Sequence, residues 1–524
     1  MINFFRRNFL KNLIQVFLST LLLLAFLEAV FRLVAAPGGG RFIEKIVIQE
    51  HLNLRKPKDE IRIFTYGEST MRGAHYSPVS SPVHWLRVYL KDFLPSRKIQ
   101  VVDFSRLGCG TEFVYRAFKN TIYYKPDLAI FYVGHNAFLP DNRKNKIEAR
   151  TKKFRYRFNI LTRKSYLISA VYRWMLKGRA KLGVQEPEDK FEFDVIETPP
   201  KDVKLEDVIP KDSSAYSENI DFFRQNISKI LELSKKNHVP VLFLRPVCNL
   251  KDFAPTYSVH IKKLNSEELS RWESLYEAGK KKQTQENWLE AAEFYTQAYM
   301  LDSTYADLSF RLGQAYFKNG DLEKAHQLFE EARDNDALPV RVTKEILEVF
   351  EEFKKAGSLE LADTGKVLIS EVPGGILGEP IIEDNVHLSI KGHSLLGRLM
   401  AEEMAQRNWI EPKSNWQFAR TRSYDEITKE LGVNQNLLVS ADLKMVSYFG
   451  NRFDNRIRFA KRALEIEPRN PRALRYLAWT YWLMGEKKNA LETYQTLKQI
   501  DPSSLEEVFK AQPDIAAAFK AVSH

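Results

Sequence analysis

Short apolar runs alternate with longer stretches of helical spacing, and that alternation leaves few folds open. Ile61 to Tyr66 is such a run, ending at Gly67, and Gln100 to Phe104, Leu128 to Val133 and Pro240 to Leu244 repeat the pattern. Each is short enough for a strand buried on both faces. Between them, Val83 to Phe93, Glu112 to Tyr123 and Ser217 to Lys236 carry apolar residues at helical spacing. Strands joined through helices require right-handed crossovers and a parallel sheet. A fifth strand is expected over Lys366 to Val372. Functional residues of such sheets gather at the carboxyl ends of the strands, which directs attention to the residues after each run.

Two blocks depart from this alternation. Gly279, Ala291, Tyr295 and Ala298 return as Gly313, Ala325, Phe329 and Ala332, at a constant offset of about 34 residues, the tetratricopeptide period. Small residues stand where paired helices meet closely, and large ones fill the gap between them. Pro468 and Pro502 share that offset, and Leu477, Ala478, Tyr481, Gly485, Ala490 and Tyr494 fit a helix pair between them. Generic helical hairpins are the plainer alternative. The expected division is an N-terminal anchor and linker at 1–40 and an α/β domain at 41–255 and 356–412. Tetratricopeptide-like repeats are expected as an insert at 256–355 and a terminal region at 413–524.

Arg6, Arg7 and Lys11 precede an apolar run from Leu13 to Leu27 that continues with interruptions to Ala36. About 20 apolar residues cross a bilayer as a helix. The basic flank predicts that this end stays in the cytoplasm and the remainder is exported. A cleaved signal peptide is the competing reading, and Ala35-Ala36-Pro37 is a poor cleavage site. The expected location is therefore a bacterial inner membrane, crossed once, with the catalytic domain outside. Net charge is +12, and Arg143 to Lys181 holds fourteen Arg or Lys against the single acid Glu148. This basic segment, 141–185, is interleaved with aromatics, which suits an anionic bilayer surface or acidic glycan; a solvated lid is the plainer reading. No nucleic-acid motif accompanies it, so no nucleic-acid partner is expected. Cys109 and Cys248 are too few and too far apart for a disulfide framework or a metal site.

The strand ends carry the chemistry. After the first run comes Gly67-Glu68-Ser69-Thr70, placing a serine at the top of the sheet. It is not a G-x-S-x-G elbow, because Met71 stands where the second glycine belongs. A helix-capping serine would look the same. The second run leads to Gly108, whose lack of a side chain lets a backbone N–H approach a ligand. The third leads to Gly134-His135-Asn136, whose asparagine amide suits a developing oxyanion; a turn asparagine is the alternative. Asp384-Asn385-Val386-His387 precedes a helix beginning near Ser389. A carboxylate three residues before a histidine can reach Nδ1 and leave Nε2 free as a base. A metal site from Asp384, His387 and His393 lacks a fourth ligand, and neither metal nor cofactor is expected.

These four blocks, in this order, resemble the SGNH (GDSL-like) hydrolase family, named for Ser, Gly, Asn and His. The resemblance spans about Ile61 to Arg407 and implies a three-layer, flavodoxin-like parallel sheet. It implies Ser69 as nucleophile, His387 as general base and Asp384 as its orienting acid. The implied oxyanion donors are the N–H groups of Ser69 and Gly108 and the Asn136 amide. The family usually carries Asp where this chain has Glu68, and His135 stands where a small or polar residue is usual. His135 is a possible substrate contact, with a hydrogen-bonded structural histidine as the plainer reading. The N-terminal span, the Gly-Glu-Ser block, the repeats and Pro246 to Pro255 resemble a membrane-anchored bacterial subgroup. Three functions follow as expectations. The first is an esterase removing an O-acyl group, acetyl among the candidates, from a carbohydrate or lipid. The second is an O-acyltransferase acting on a cell-envelope polysaccharide. The third is a repeat scaffold, binding a protein partner, whose catalytic domain is inactive.

Overall fold

The computed structural model describes residues 18–20, 22–24, 41–139, 208–450 and 452–522. The basic segment 141–185 and most of the apolar run from Leu13 to Leu27 lie outside them. Among the described residues no helix is long and apolar enough to cross a membrane.

The α/β body opens with α1 (Arg41–Gln49), β1 (Glu60–Gly67), α2 (Ser69–Arg72), α3 (Pro82–Phe93), β2 (Lys98–Asp103), α4 (Thr111–Thr121) and β3 (Leu128–Tyr132). It continues through α5 (Ser214–Asn237) and β4 (Val241–Leu244). Four helices then form two antiparallel pairs, α6 (Ser266–Thr284) with α7 (Trp288–Leu301) and α8 (Ala306–Lys318) with α9 (Leu322–Asp334). After α10 (Lys344–Lys355) the chain returns to the body as β5 (Glu360–Ala362), α11 (Thr364–Ile369) and α12 (Ile390–Arg407). Seven helices close the chain: α13 (Tyr424–Leu431), α14 (Gln435–Tyr448), α15 (Phe453–Ile466), α16 (Pro471–Leu483), α17 (Lys487–Ile500), α18 (Pro502–Ala511) and α19 (Pro513–Val522).

All five strands are parallel, in the order β2-β1-β3-β4-β5. That is the flavodoxin-like order of a doubly wound sheet, and its direction of winding reverses between β1 and β3. Each face of the sheet is apolar and covered. Phe64, Tyr66, Phe131 and Phe243 pack under Val114 and Phe118 of α4, Phe223 and Ile227 of α5, and Phe350 of α10. Ile63, Ile130 and Leu242 on the other face meet Trp85 and Tyr89 of α3 and Leu396 and Met400 of α12. The helices start where the sequence supplies caps. Ser81 accepts from the His84 N–H with Pro82 in the first turn of α3, and Ser389 accepts from the Gly392 N–H at α12.

The fifth strand is not where the apolar run predicts it. Lys366 to Val372 begins inside α11, and the strand is the preceding three-residue Glu360–Ala362. Asp363 is the cause: its side chain accepts the Lys366 N–H at 3.2 Å and turns the chain into a helix, so that Leu368 is buried while Ile369 faces out.

The repeat signature has a direct packing basis. Gly279 lies against the ring of Tyr295, and Gly313 lies against that of Phe329 in the next pair. Phe310, Ala325, Phe329 and Ala332 also join the core beneath the sheet, so the second pair is fused to the body. A Cβ at position 279 would sit 2.4 Å from the Tyr295 ring, whose hydroxyl is tied to Gln283 at 2.6 Å. Gly279→Val therefore lowers stability by about 1–3 kcal/mol, read as a lower urea midpoint at unchanged slope.

Candidate active site

The loops after β1, β2 and β3 converge at the point where the sheet changes its winding direction. Ser69 is the first residue of α2, immediately past the end of β1. An N–H in the first turn of a helix has no partner within that helix, so the Ser69 N–H is available to a ligand.

The imidazole and carboxylate come from a tight turn held by its own acid. Ile382 and Leu388 form an antiparallel bridge across it. Asp384 Oδ1 accepts the N–H groups of Val386 and His387 at 2.8 and 2.6 Å. Its other oxygen, Oδ2, lies 2.5 Å from His387 Nδ1. His387 Nε2 lies 2.7 Å from Ser69 Oγ, joining residues 318 positions apart. Burial opposes charge on the enclosed Asp384 carboxyl, but His387 and His75 outweigh it and hold the group below the usual carboxylate range.

Neighbouring segments brace this turn. Asn249, within the Pro246 to Pro255 segment, donates from its backbone to the Asn385 carbonyl at 3.0 Å and from its side chain to the Ile382 carbonyl at 3.1 Å. The Asn385 amide donates to the Val340 carbonyl at 2.7 Å. Arg458 of α15 donates to the Glu383 carbonyl at 2.8 Å, and Arg462 pairs with the Glu383 carboxylate at 2.9 Å. Tyr448, at the end of α14, places its ring 6.4 Å from that of His387. The turn is thus held partly by the inserted and terminal helical regions.

Glu68 has a defined task. Its buried carboxylate accepts the N–H groups of Gly134, His135 and Asn136 at 3.3, 3.0 and 3.2 Å, tying the loop after β3 to the end of β1. Burial pushes the Glu68 carboxyl up to about 8, with the three donors pulling the other way. Asn136 in turn donates to the Cys109 carbonyl at 2.8 Å, linking the third loop to the second. A primary amide has two protons, so one remains for a ligand. Gly108 has a φ of +61°, the left-handed region, and the space where a Cβ would stand is open. The three expected oxyanion donors therefore lie on loops that meet beside Ser69.

His135 is buried, as a structural histidine would be, but neither ring nitrogen has a hydrogen-bond partner among the described residues. Its ring packs edge-on to Tyr132. His393 is apart from the turn, with Nδ1 3.1 Å from Ser80 Oγ. Its place in a metal-like cluster is taken by a residue the motifs do not flag. His75, Asp384 and His387 each bring one ligand atom within 4.8 Å of the others. The 2.5 Å contact between His387 and Asp384 leaves no room for an ion between them. Both cysteines are buried free thiols.

The tetratricopeptide repeat family matches residues 284–341 and again 472–504. No curated protein matches the chain. Among solved structures, a GDSL-like lipase from Bacteroides thetaiotaomicron is similar at 11% identity, with a TM-score of 0.32, over 70% of this chain and 98% of its own. A lipase/acylhydrolase from Enterococcus faecalis is similar at 13% identity and TM-score 0.29, over 69% and 100%. The acetylxylan esterase Axe2 from Geobacillus stearothermophilus follows at 10% and 0.27, over 68% and 100%. Scores of this size add no weight to the site, which stands on the distances above.

Burial pushes His135 and His393 down to about 3 and His84 to about 4, so all three are neutral in the folded chain at mild pH. The unfolded chain binds protons at these positions below about pH 6.5. The contribution of these three histidines to stability is therefore fully present above that pH and falls as pH drops toward 4 and then 3, by up to about 1.4 kcal/mol per pH unit for each histidine. Urea unfolding across this range shows the slope, and His135→Leu flattens it by one proton's worth.

Proposed function

We propose that this chain is a serine ester hydrolase of the SGNH kind, with Ser69, His387 and Asp384 as nucleophile, base and orienting acid. The observation that carries the reading is the continuous line from Ser69 Oγ through His387 to Asp384, at 2.7 and 2.5 Å, in the crevice at the carboxyl ends of the strands.

The mechanism follows from the atoms in reach. Asp384 holds the proton of His387 on Nδ1, leaving Nε2 to take the Ser69 hydroxyl proton as Oγ attacks the ester carbonyl. Negative charge then develops on the carbonyl oxygen, where the Ser69 and Gly108 N–H groups and the free Asn136 amide proton stabilise it. His387 returns its proton to the departing alcohol, and an acyl group stays on Ser69. Water attacks this acyl-enzyme with His387 again as base, and a carboxylic acid leaves. Asp384 stays ionised throughout.

An O-acyl group on a carbohydrate or lipid is the substrate class we assign. Transfer of the acyl group to a sugar hydroxyl is the second reading. It draws support from the burial of His387, because an enclosed base disfavours bulk water as the acceptor. We assign the chain to a membrane surface through the run from Leu13 to Leu27, with the helical pairs as the face for a protein partner. The scaffold reading draws no support from a hydrogen-bonded Ser-His-Asp line.

Fluorophosphonate labelling of wild type beside Ser69→Ala tests the reading. Labelling disappears in the variant, and hydrolysis of p-nitrophenyl acetate falls by about 10⁴-fold or more; equal labelling of both sinks the proposal. Asn136→Ala retains labelling and lowers kcat by about 10²–10³-fold. Mass spectrometry of the released acyl group, with and without a carbohydrate acceptor, separates hydrolysis from transfer.

A further inference from the structure

His75 belongs to none of the four motif blocks, yet it meets the acid end of the triad. It lies three residues past α2, in a turn closed by the Ala74 N–H donating to the Ser69 carbonyl at 3.0 Å. Its φ is +74°, the left-handed region that a residue with a Cβ seldom adopts. Nε2 lies 3.1 Å from Asp384 Oδ2 and 3.2 Å from His387 Nδ1. The two imidazole rings stand edge to face, 4.7 Å apart at 86°.

We propose that His75 is a positioning residue for the Ser69–His387 pair, donating from Nε2–H to the same Asp384 oxygen that orients His387; the inference rests on the hydrolase reading. The donor count supports it. An ionised carboxylate offers about four acceptor sites, and an enclosed one is steadied by each donor that meets them. Asp384 Oδ1 receives two backbone N–H groups. Oδ2 receives His387 Nδ1–H, and His75 Nε2–H is the fourth donor. Without it, Oδ2 keeps His387 Nδ1–H as its one donor and is held less firmly in the line of the triad. The shared oxygen also divides its charge between two rings, so less of it is available to favour the protonated form of the base. The turn bearing His75 is the one that bears Ser69, so nucleophile and acid are registered through a single side chain.

The groups facing His75 are few. Asp384, His387 and Glu383 come from the catalytic turn, and Tyr448 from α14 lies 6.1 Å from its ring. Glu383 is itself engaged by Tyr76 and Arg462. Loss of His75 therefore acts chiefly through Asp384, and the acid limb of kcat/KM moves to higher pH.

The test compares full-length wild type, His75→Ala and His75→Gln, the last carrying an amide able to donate to Asp384. In His75→Ala, kcat falls by up to about 10²-fold with KM little changed. The acid limb rises by roughly half a pH unit or more. His75→Gln recovers most of both. The second readout is the downfield proton resonance of the His387 Nδ1–Asp384 bond, which weakens or shifts in His75→Ala and returns in His75→Gln. An unchanged resonance in His75→Ala overturns the proposal whether or not any ester is turned over, as does a Gln variant no better than Ala in a folded protein. Ester turnover or labelling independent of Ser69 overturns the hydrolase reading instead, and the resonance still decides the role of His75.

Discussion

A carboxylate removed from water has to be surrounded by donors, and Asp384 sets that requirement at the centre of this molecule. Its side chain is wholly enclosed, so its charge has to be met by hydrogen-bond donors brought to it by the fold. The local turn meets half of the requirement with the Val386 and His387 N–H groups. The rest comes from imidazoles, one on the same turn and one from the loop beyond Ser69. The geometry of the Ser69–His387 contact is therefore a by-product of satisfying a buried charge. This is also why residues far apart in sequence are held to hydrogen-bond precision.

The helical additions are part of that arrangement. The turn bearing Asp384 and His387 accepts hydrogen bonds from Asn249, in the segment leading into the insert, and from Arg458 in the terminal helices, and donates one to the Val340 carbonyl at the insert's far side. Arg452 of the terminal region lies over the Phe253 ring and donates to the Ala254 carbonyl, closing the same seam. An α/β sheet alone would leave this turn on an open surface. Here Asn249, Val340 and helices α14 and α15 brace it.

Much of this was readable from the sequence because the chemistry sits directly after strands, where a motif and its geometry are neighbours in the chain. The Gly67-Glu68-Ser69 block, the asparagine after β3 and the Asp-x-x-His turn lie at one place in the fold. The fifth strand was not readable, since three residues give no period and Asp363 redirects the apolar run that follows. His75 and Tyr448 left no local signal either. Their contacts with His387 arise only when chain segments distant in sequence pack together. Glu68 was visible as a departure from the usual Asp, but its partners, three backbone amides on another strand's loop, cannot be inferred from residue identities.

The Glu68 clamp has a mechanical consequence. Because one carboxylate spans the end of β1 and the loop after β3, and Asn136 then grips the loop after β2, the three strand ends behave as a single rigid floor. Entry of a bulky molecule cannot proceed by spreading those loops without exposing buried amides.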